Sequence, residues 1–295
     1  MANAAVEYLR KAFRLSALNQ LRRRLRPRRS QLFGVGMAKS GTHSIAEMFD
    51  DTVNARHEPE GRKLILKILE IAAGRMTQAD QRSYVRHRDR RLNLDVDSSQ
   101  LNFFILEALI SEFEDARYLL TIRDPYSWLD SFINDSLRRQ ITDQWRRLRD
   151  LRFRPEVFGH STLEQVLKQK GLYTLDGYLS YWSMHNQRVL DIVSPDKLLV
   201  VRTDQISAKA AIIADFARLP RETVRMERSH AFQNPMKFEV LGQIDQAYLK
   251  HKVEQYCRPL MTRFFPEILS LGTRSIPNKP ARPDLSHKDG TPSVG

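Results

Sequence analysis

Phe33-Gly34-Val35-Gly36-Met37-Ala38-Lys39-Ser40-Gly41-Thr42-His43-Ser44-Ile45 is the stretch that decides the fold. A short apolar run enters it, glycines and a Lys-Ser-Gly-Thr core fill its middle, and Ile45, Met48 and Phe49 leave it at helical spacing. That order predicts a buried strand, a tight loop and a helix N-terminus in succession. Successive loop amides at the positive end of a helix dipole form an anion site. Glycine allows close backbone approach, Lys39 supplies a point charge, and Ser40 and Thr42 supply hydroxyl donors. The stretch reads as a phosphate-binding loop, with Ala38, Lys39, Ser40, Gly41, Thr42, His43 and Ser44 as candidate contacts.

A Walker loop places its lysine directly after the last glycine and keeps the next hydroxyl for magnesium. Here Lys39 stands two residues ahead of Gly41, so Thr42 has no lysine immediately before it. The order argues against an ordinary ATP or GTP site. A kinase reading stays open as the rival, with Asp95 or Asp97 as its magnesium ligand.

Downstream, Leu92 to Asp97 reads as a strand, Ser98 or Ser99 as a helix cap, and Tyr118 to Ile122 as the clearest strand of the first half. Asp124-Pro125 opens the next helix, aspartate as N-cap and proline at the first helical position. Residues 62–73 and Leu175–Val193 read as helices, Lys197–Val201 as another buried strand, and 238–264 as a final helix. The segment Tyr84–Arg91 is strongly basic and reads as exposed. Residues 138–158 are arginine-rich and weakly patterned, which suggests an insertion or lid. Apolar strands alternating with helices give an α/β class with a mostly parallel central sheet flanked by helices. In such a sheet, ligands sit at the carboxyl ends of the strands. Lys39, Asp97 and Arg123 all fall there, so topology alone predicts that they converge.

Arg123-Asp124-Pro125-Tyr126-Ser127-Trp128-Leu129-Asp130-Ser131 is the second informative stretch. Arg123 leaves a strand end and Ser131 lies two turns into the following helix; a guanidinium fork and a nearby hydroxyl suit a phosphate. With both motifs in hand, the chain resembles the sulfotransferases that use 3′-phosphoadenosine 5′-phosphosulfate (PAPS). Their 5′-phosphosulfate loop has the Lys-Ser-Gly-Thr order, and an arginine with a serine eight positions on holds the 3′-phosphate. The run Val201-Arg202-Thr203-Asp204-Gln205-Ile206 is similar to another family strand, with Thr203 and Asp204 as departures. Ala38 replaces a usual proline and His43 a second threonine. The resemblance implies a P-loop-like sulfotransferase fold over residues 31–266, between a basic arm (1–30) and a loose tail (267–295).

The resemblance further implies in-line sulfuryl transfer from PAPS to a hydroxyl, or less favourably an amine, without a metal. Lys39 would stand beside the leaving oxygen. The family's carbohydrate and protein-tyrosine branches use a carboxylate as general base. Asp97 stands nearest that position, with Asp95 its neighbour on the same strand face and His43 and His57 as outside candidates. The acceptor class spans a carbohydrate, a lipid or a small molecule.

Composition sets the remaining bounds. The net charge is +13, of which +8 falls in residues 1–30, leaving +5 over the other 265. Apolar residues at three- and four-residue spacing from Val6 to Leu25 make that arm a basic amphipathic helix. It could rest on an anionic membrane surface, or pack on the domain with its arginines solvated, the reading slightly preferred. A third reading, a non-catalytic basic module for membrane or polyanion, rests on this arm. Nucleic-acid binding is not expected, because no aromatic-and-basic platform appears. Cys257 is the only cysteine, which excludes an intramolecular disulfide and a cysteine-rich metal site. No apolar run approaches bilayer length, and the expectation is a soluble, cytoplasmic protein.

Overall fold

A computed structural model describes residues 27–49, 52–228 and 237–270. The arm's helix, placed over 1–26, and the tail beyond 270 lie outside the described residues.

Five strands form one parallel sheet: β1 (Leu32–Gly34), β2 (Ala55–His57), β3 (Val96–Ser98), β4 (Arg117–Ile122) and β5 (Leu198–Arg202), in the order β2-β3-β1-β4-β5. The helices are α1 (Thr42–Phe49), α2 (Gly61–Ala72), α3 (Gln78–Leu92), α4 (Leu106–Glu112), α5 (Pro125–Arg138), α6 (Asp143–Phe153), α7 (Gln165–Gln169), α8 (Leu175–Ile192), α9 (Ala210–Phe216), α10 (Gln246–Phe264) and α11 (Pro266–Ser270).

A parallel sheet needs both faces covered, and the period-2 alternation of these strands does it. Leu32, Leu119 and Val201 pack on one face with Ile45, Phe49 and Ile213 of α1 and α9. Phe33, Tyr118 and Leu120 pack on the other with Leu64, Ile68 and Leu109 of α2 and α4. A third core joins α5, α8 and α10 through Trp128, Phe132, Tyr178, Trp182 and Leu260. Central β1 has β3 on one side and β4 on the other. The connection leaving β1 runs toward β2 and the one leaving β4 runs toward β5, in opposite directions, which opens a crevice at the carboxyl ends of β1 and β4. The loop before α1 and the turn bearing Arg123 both enter it.

Four sequence readings are corrected. Residues 138–158 are no loose lid: α6 occupies Asp143–Phe153, and Leu148 and Phe153 are fully buried. The segment Tyr84–Arg91 lies within α3, where Arg88 turns inward and is 2% exposed. The final long helix begins at Gln246 rather than 238, because Asp245 caps it by accepting from the Tyr248 amide at 2.7 Å. The tail's first residues continue the fold as α11.

Candidate active site

The loop between β1 and α1 is held by its carbonyls. Five of them accept from side chains of other elements: Val35 O from His185 Nε2 at 2.8 Å, Ala38 O from Trp128 Nε1 at 2.9 Å, Lys39 O from Arg123 Nη1 at 3.3 Å, Ser40 O from Thr203 Oγ1 at 2.6 Å and Thr42 O from Ser98 Oγ at 2.7 Å. Met37 O accepts from Ser40 Oγ at 2.7 Å, and Gly41 O accepts the first helical amide, Ile45, at 3.1 Å. With these oxygens engaged, the loop runs into the opening turn of α1, whose first N–H groups have no helical acceptor. Lys39 takes φ 67° and Gly41 φ 105°, the left-handed turn that reverses the chain here. A Cβ on Gly36 would come 2.1 Å from Thr121 Oγ1, so glycine is needed where the loop crosses β4.

A cavity of about 640 Å³ opens onto this loop. It brings together Ala38, Lys39, Gly41, Thr42, His43 and Ser44 with Arg123 and Ser131, as topology predicts. Among the described residues, five cations line it (Lys39, Arg123, Arg139, Arg149, Arg152) against two carboxylates, Glu58 and Asp135. That imbalance suits an anionic ligand. Lys39 Nζ lies 3.3 Å from Asp135 on α5, and burial lowers its pKa against the pull of that carboxylate. Arg123 donates through Nε to Ser127 Oγ at 3.1 Å, and burial likewise pulls its pKa down. Its backbone is fixed too, since Trp182 Nε1 donates to Arg123 O at 3.0 Å.

The structure separates three expected contacts from the cavity. Ser40 is buried beneath the loop, its hydroxyl spent on Met37 O and on Thr121 Oγ1 at 2.9 Å. It shapes the loop from below. Asp97 is 4% exposed, and its Oδ2 is 2.5 Å from Nη1 of the equally buried Arg88. Asp95 accepts the Arg29 amide at 2.7 Å and the Asn54 amide at 2.8 Å, at the end of the sheet away from the loop. Neither carboxylate lines the cavity. Both are engaged within the fold, Asp97 through Oδ2 alone, and neither opens onto the cavity as a general base or a magnesium ligand of the kinase reading would.

Of the two carboxylates that do line the cavity, Asp135 pairs with Lys39, and the other follows the carboxyl end of β2. Glu58 sits at φ 46°, a strained conformation for a side-chain-bearing residue. Burial raises its pKa, and Gln100 Nε2 donates to its Oε1 at 2.5 Å. Gln100 is in turn held by Arg152 Nη1 at 2.7 Å. Beside it, His57 is pushed down to about 3, first by burial and then by His43, whose ring meets it edge-on at 4.9 Å. His57 Nε2 shares a 3.3 Å hydrogen bond with Thr42 Oγ1, so a neutral imidazole bridges β2 to the loop. Among the described residues no group of three or more His, Cys, Asp or Glu side chains gathers as metal ligands. No helix among them is long and apolar enough to cross a membrane.

The family model for the sulfotransferase domain matches residues 31–206, more than half of the chain and the whole of this site. The chain belongs to that family. Solved sulfotransferases resemble it at low identity. The enzyme from Alicyclobacillus acidocaldarius is 13% identical, covering 82% of this chain and 99% of its own, with a TM-score of 0.44. Sulfotransferase STF9 from Mycobacterium avium is 15% identical over 86% and 81%, with a TM-score of 0.43. The sulfotransferase domain from the curacin biosynthetic pathway is 13% identical over 78% and 98%, with a TM-score of 0.36. No curated protein matches the chain. Within this sulfotransferase, Glu58, Gln100, Asp135, Arg149 and Arg152 escape a reading of the sequence. The one available signal was Trp145, Arg149 and Arg152 at i, i+4 and i+7, a helical stripe hidden among other arginines.

Proposed function

We propose that this sulfotransferase moves a sulfuryl group from PAPS to a hydroxyl acceptor at the β1–β4 crevice. One observation carries the reading: Lys39 and Arg123, from adjacent strand ends, line a single cavity, with Arg123 also donating to the backbone oxygen of Lys39. A nucleotide with phosphates at both ends needs two such cationic grips. The α1 N-terminus, the loop amides and Lys39 receive the 5′-phosphosulfate. Arg123 and Ser131 receive the 3′-phosphate.

The chemistry follows from placement. The acceptor oxygen attacks sulfur in line with the bridging oxygen, the new S–O bond forms as the bond from sulfur to that oxygen breaks, and the sulfuryl group keeps its own oxygens. Lys39 stabilises the negative charge left on the departing phosphate. Glu58 takes the acceptor's proton: burial makes it a stronger base than an ordinary carboxylate, whereas His57, pushed down to about 3, is a weak one. The acceptor is a small molecule, a carbohydrate or a lipid head group. The sulfotransferase domain begins at residue 31 and takes in α11, and the protein acts in the cytoplasm, with the basic arm as its contact to any membrane surface.

The test is thermal stabilisation by 3′,5′-adenosine bisphosphate in the presence of a chelator, set against ATP with magnesium. Stabilisation by the bisphosphate alone is the expected result. Stabilisation only by ATP with magnesium sinks the proposal in favour of phosphoryl transfer.

A further inference from the structure

The far wall of the cavity is the inner face of α6, and its cations form no ion pairs among the described residues. Trp145, Arg149 and Arg152 stand one or two turns apart on that face, and all three line the cavity. Arg152 is 5% exposed, yet its Nε and Nη2 have no hydrogen-bond partner and no carboxylate pairs with it among the described residues. Its one bond goes to Gln100, and its guanidinium otherwise lies over Phe104 at 5.3 Å and Tyr181 at 5.6 Å. Arg149, half-buried, has neither a hydrogen bond nor an ion pair among the described residues; it rests over Phe132 at 5.4 Å. One buried and one half-buried guanidinium face this space with Glu58 and Asp135 acting on them only from beyond ion-pair distance, an arrangement that an anion joining both would relieve. Arg88, by contrast, is as deeply buried as Arg152 and meets the carboxylate of Asp97.

This pair stands apart from the donor grips. Lys39 and Arg123 follow β1 and β4, whereas Arg152 is one amide away from Glu58, through Gln100. We infer that the acceptor is an anionic hydroxyl compound, whose carboxylate, phosphate or sulfate group is held by Arg149 and Arg152 while its hydroxyl meets Glu58. This rests on the sulfotransfer reading of the same cavity and adds the acceptor's charge to it. An anion with two or three oxygens can accept a bidentate pair of N–H bonds from each fork. Trp145 beside them offers a flat apolar wall for the acceptor's body.

The experiment uses the full chain and two isosteric probes, 4-hydroxybenzoate and 4-hydroxybenzamide, titrated calorimetrically with and without saturating 3′,5′-adenosine bisphosphate. The nucleotide-bound protein is expected to bind the carboxylate at least tenfold more tightly than the amide, about 1.4 kcal/mol. Arg149→Met should cut that preference below threefold, leave nucleotide affinity within twofold and leave Tm unchanged or higher, since it removes an unpaired charge. Arg149→Lys should keep part of the preference; Arg152→Lys should weaken carboxylate binding by a similar factor. Equal binding of the two probes, failure to bind either one, or a preference untouched by Arg149→Met overturns the subsite. Loss of nucleotide affinity in Arg149→Met also overturns it, by making the guanidinium a donor contact. A chain that ignores the nucleotide but keeps an Arg149-dependent preference sinks the donor assignment alone.

Discussion

Removing the Arg123 guanidinium should weaken donor binding by more than a hundredfold while chemistry on bound donor persists. Arg123 commits two of its five N–H groups, one to Ser127 Oγ and one to Lys39 O, and so has three to offer a phosphate. A bidentate contact uses two of them at about 1.5–3 kcal/mol each. Even the lower sum, about 3 kcal/mol, exceeds two decades in Kd at 1.4 kcal/mol per decade. The two internal bonds add a separate loss of about 2 kcal/mol in stability, which urea unfolding measures independently. Calorimetry with 3′,5′-adenosine bisphosphate on Arg123→Ala, Arg123→Lys and Lys39→Ala then separates the roles. Arg123→Lys should recover little, because an ammonium cannot span two phosphate oxygens. Lys39→Ala should bind product within about tenfold of wild type yet lose turnover by about 10²–10³, the scale of a removed transition-state contact. Nucleotide affinity within threefold of wild type in Arg123→Ala, or a collapse of affinity in Lys39→Ala with turnover spared, refutes the two-grip arrangement.

Other perturbations probe the same frame. Glu58→Gln should lower kcat by about 10²–10⁴ yet raise stability at neutral pH. The folded state holds this carboxyl's pKa above its unfolded value, so its contribution is complete below the unfolded pKa and is lost as pH rises through the folded one. The Tm gain of the variant should therefore vanish below about pH 4; a gain that persists there contradicts the assignment. Gly36→Ala forces a methyl against Thr121 Oγ1 and, at 2.7 Å, against Ser40 Oγ and Thr121 O. Overpacking of about 1–3 kcal/mol and a lost bond of about 1 kcal/mol should appear as a lower urea midpoint, with weaker nucleotide binding. Asp97→Asn leaves Arg88 buried and unpaired, a cost of about 3–5 kcal/mol, while Arg88→Met with Asp97→Asn should regain much of it and keep turnover within a few-fold. Turnover lost in that double variant at restored stability would return Asp97 to the chemistry.

What the sequence made legible is what short-range physics decides. Tyr118–Ile122 is a continuous apolar run closed by an aspartate cap and a proline, so the residues themselves mark β4, Arg123 and α5. The loop before α1 was equally plain, since glycines and hydroxyls between a strand and a helical stripe have few other uses. Glu58 was hidden because β2 is Ala55-Arg56-His57, three residues with no apolar run to mark a strand. The face of α6 was hidden because Trp145, Arg149 and Arg152, the inward residues, lie among outward arginines of the same kind. Asp97 misled for a related reason. Its position at a strand end invited a catalytic reading, and only tertiary packing reveals Arg88, carried in by a helix whose composition suggests a solvated surface.

The tethers on the phosphate loop carry a last implication. Their donors come from β3, α5, α8 and the turns after β4 and β5, so residues as remote as Ser98 and Thr203 grip the same short stretch of backbone. A peptide spanning residues 33–45 alone should therefore show no measurable attraction for the bisphosphate. Ligand-induced protection from hydrogen exchange should spread across all five strands rather than fade with distance from the bound phosphate.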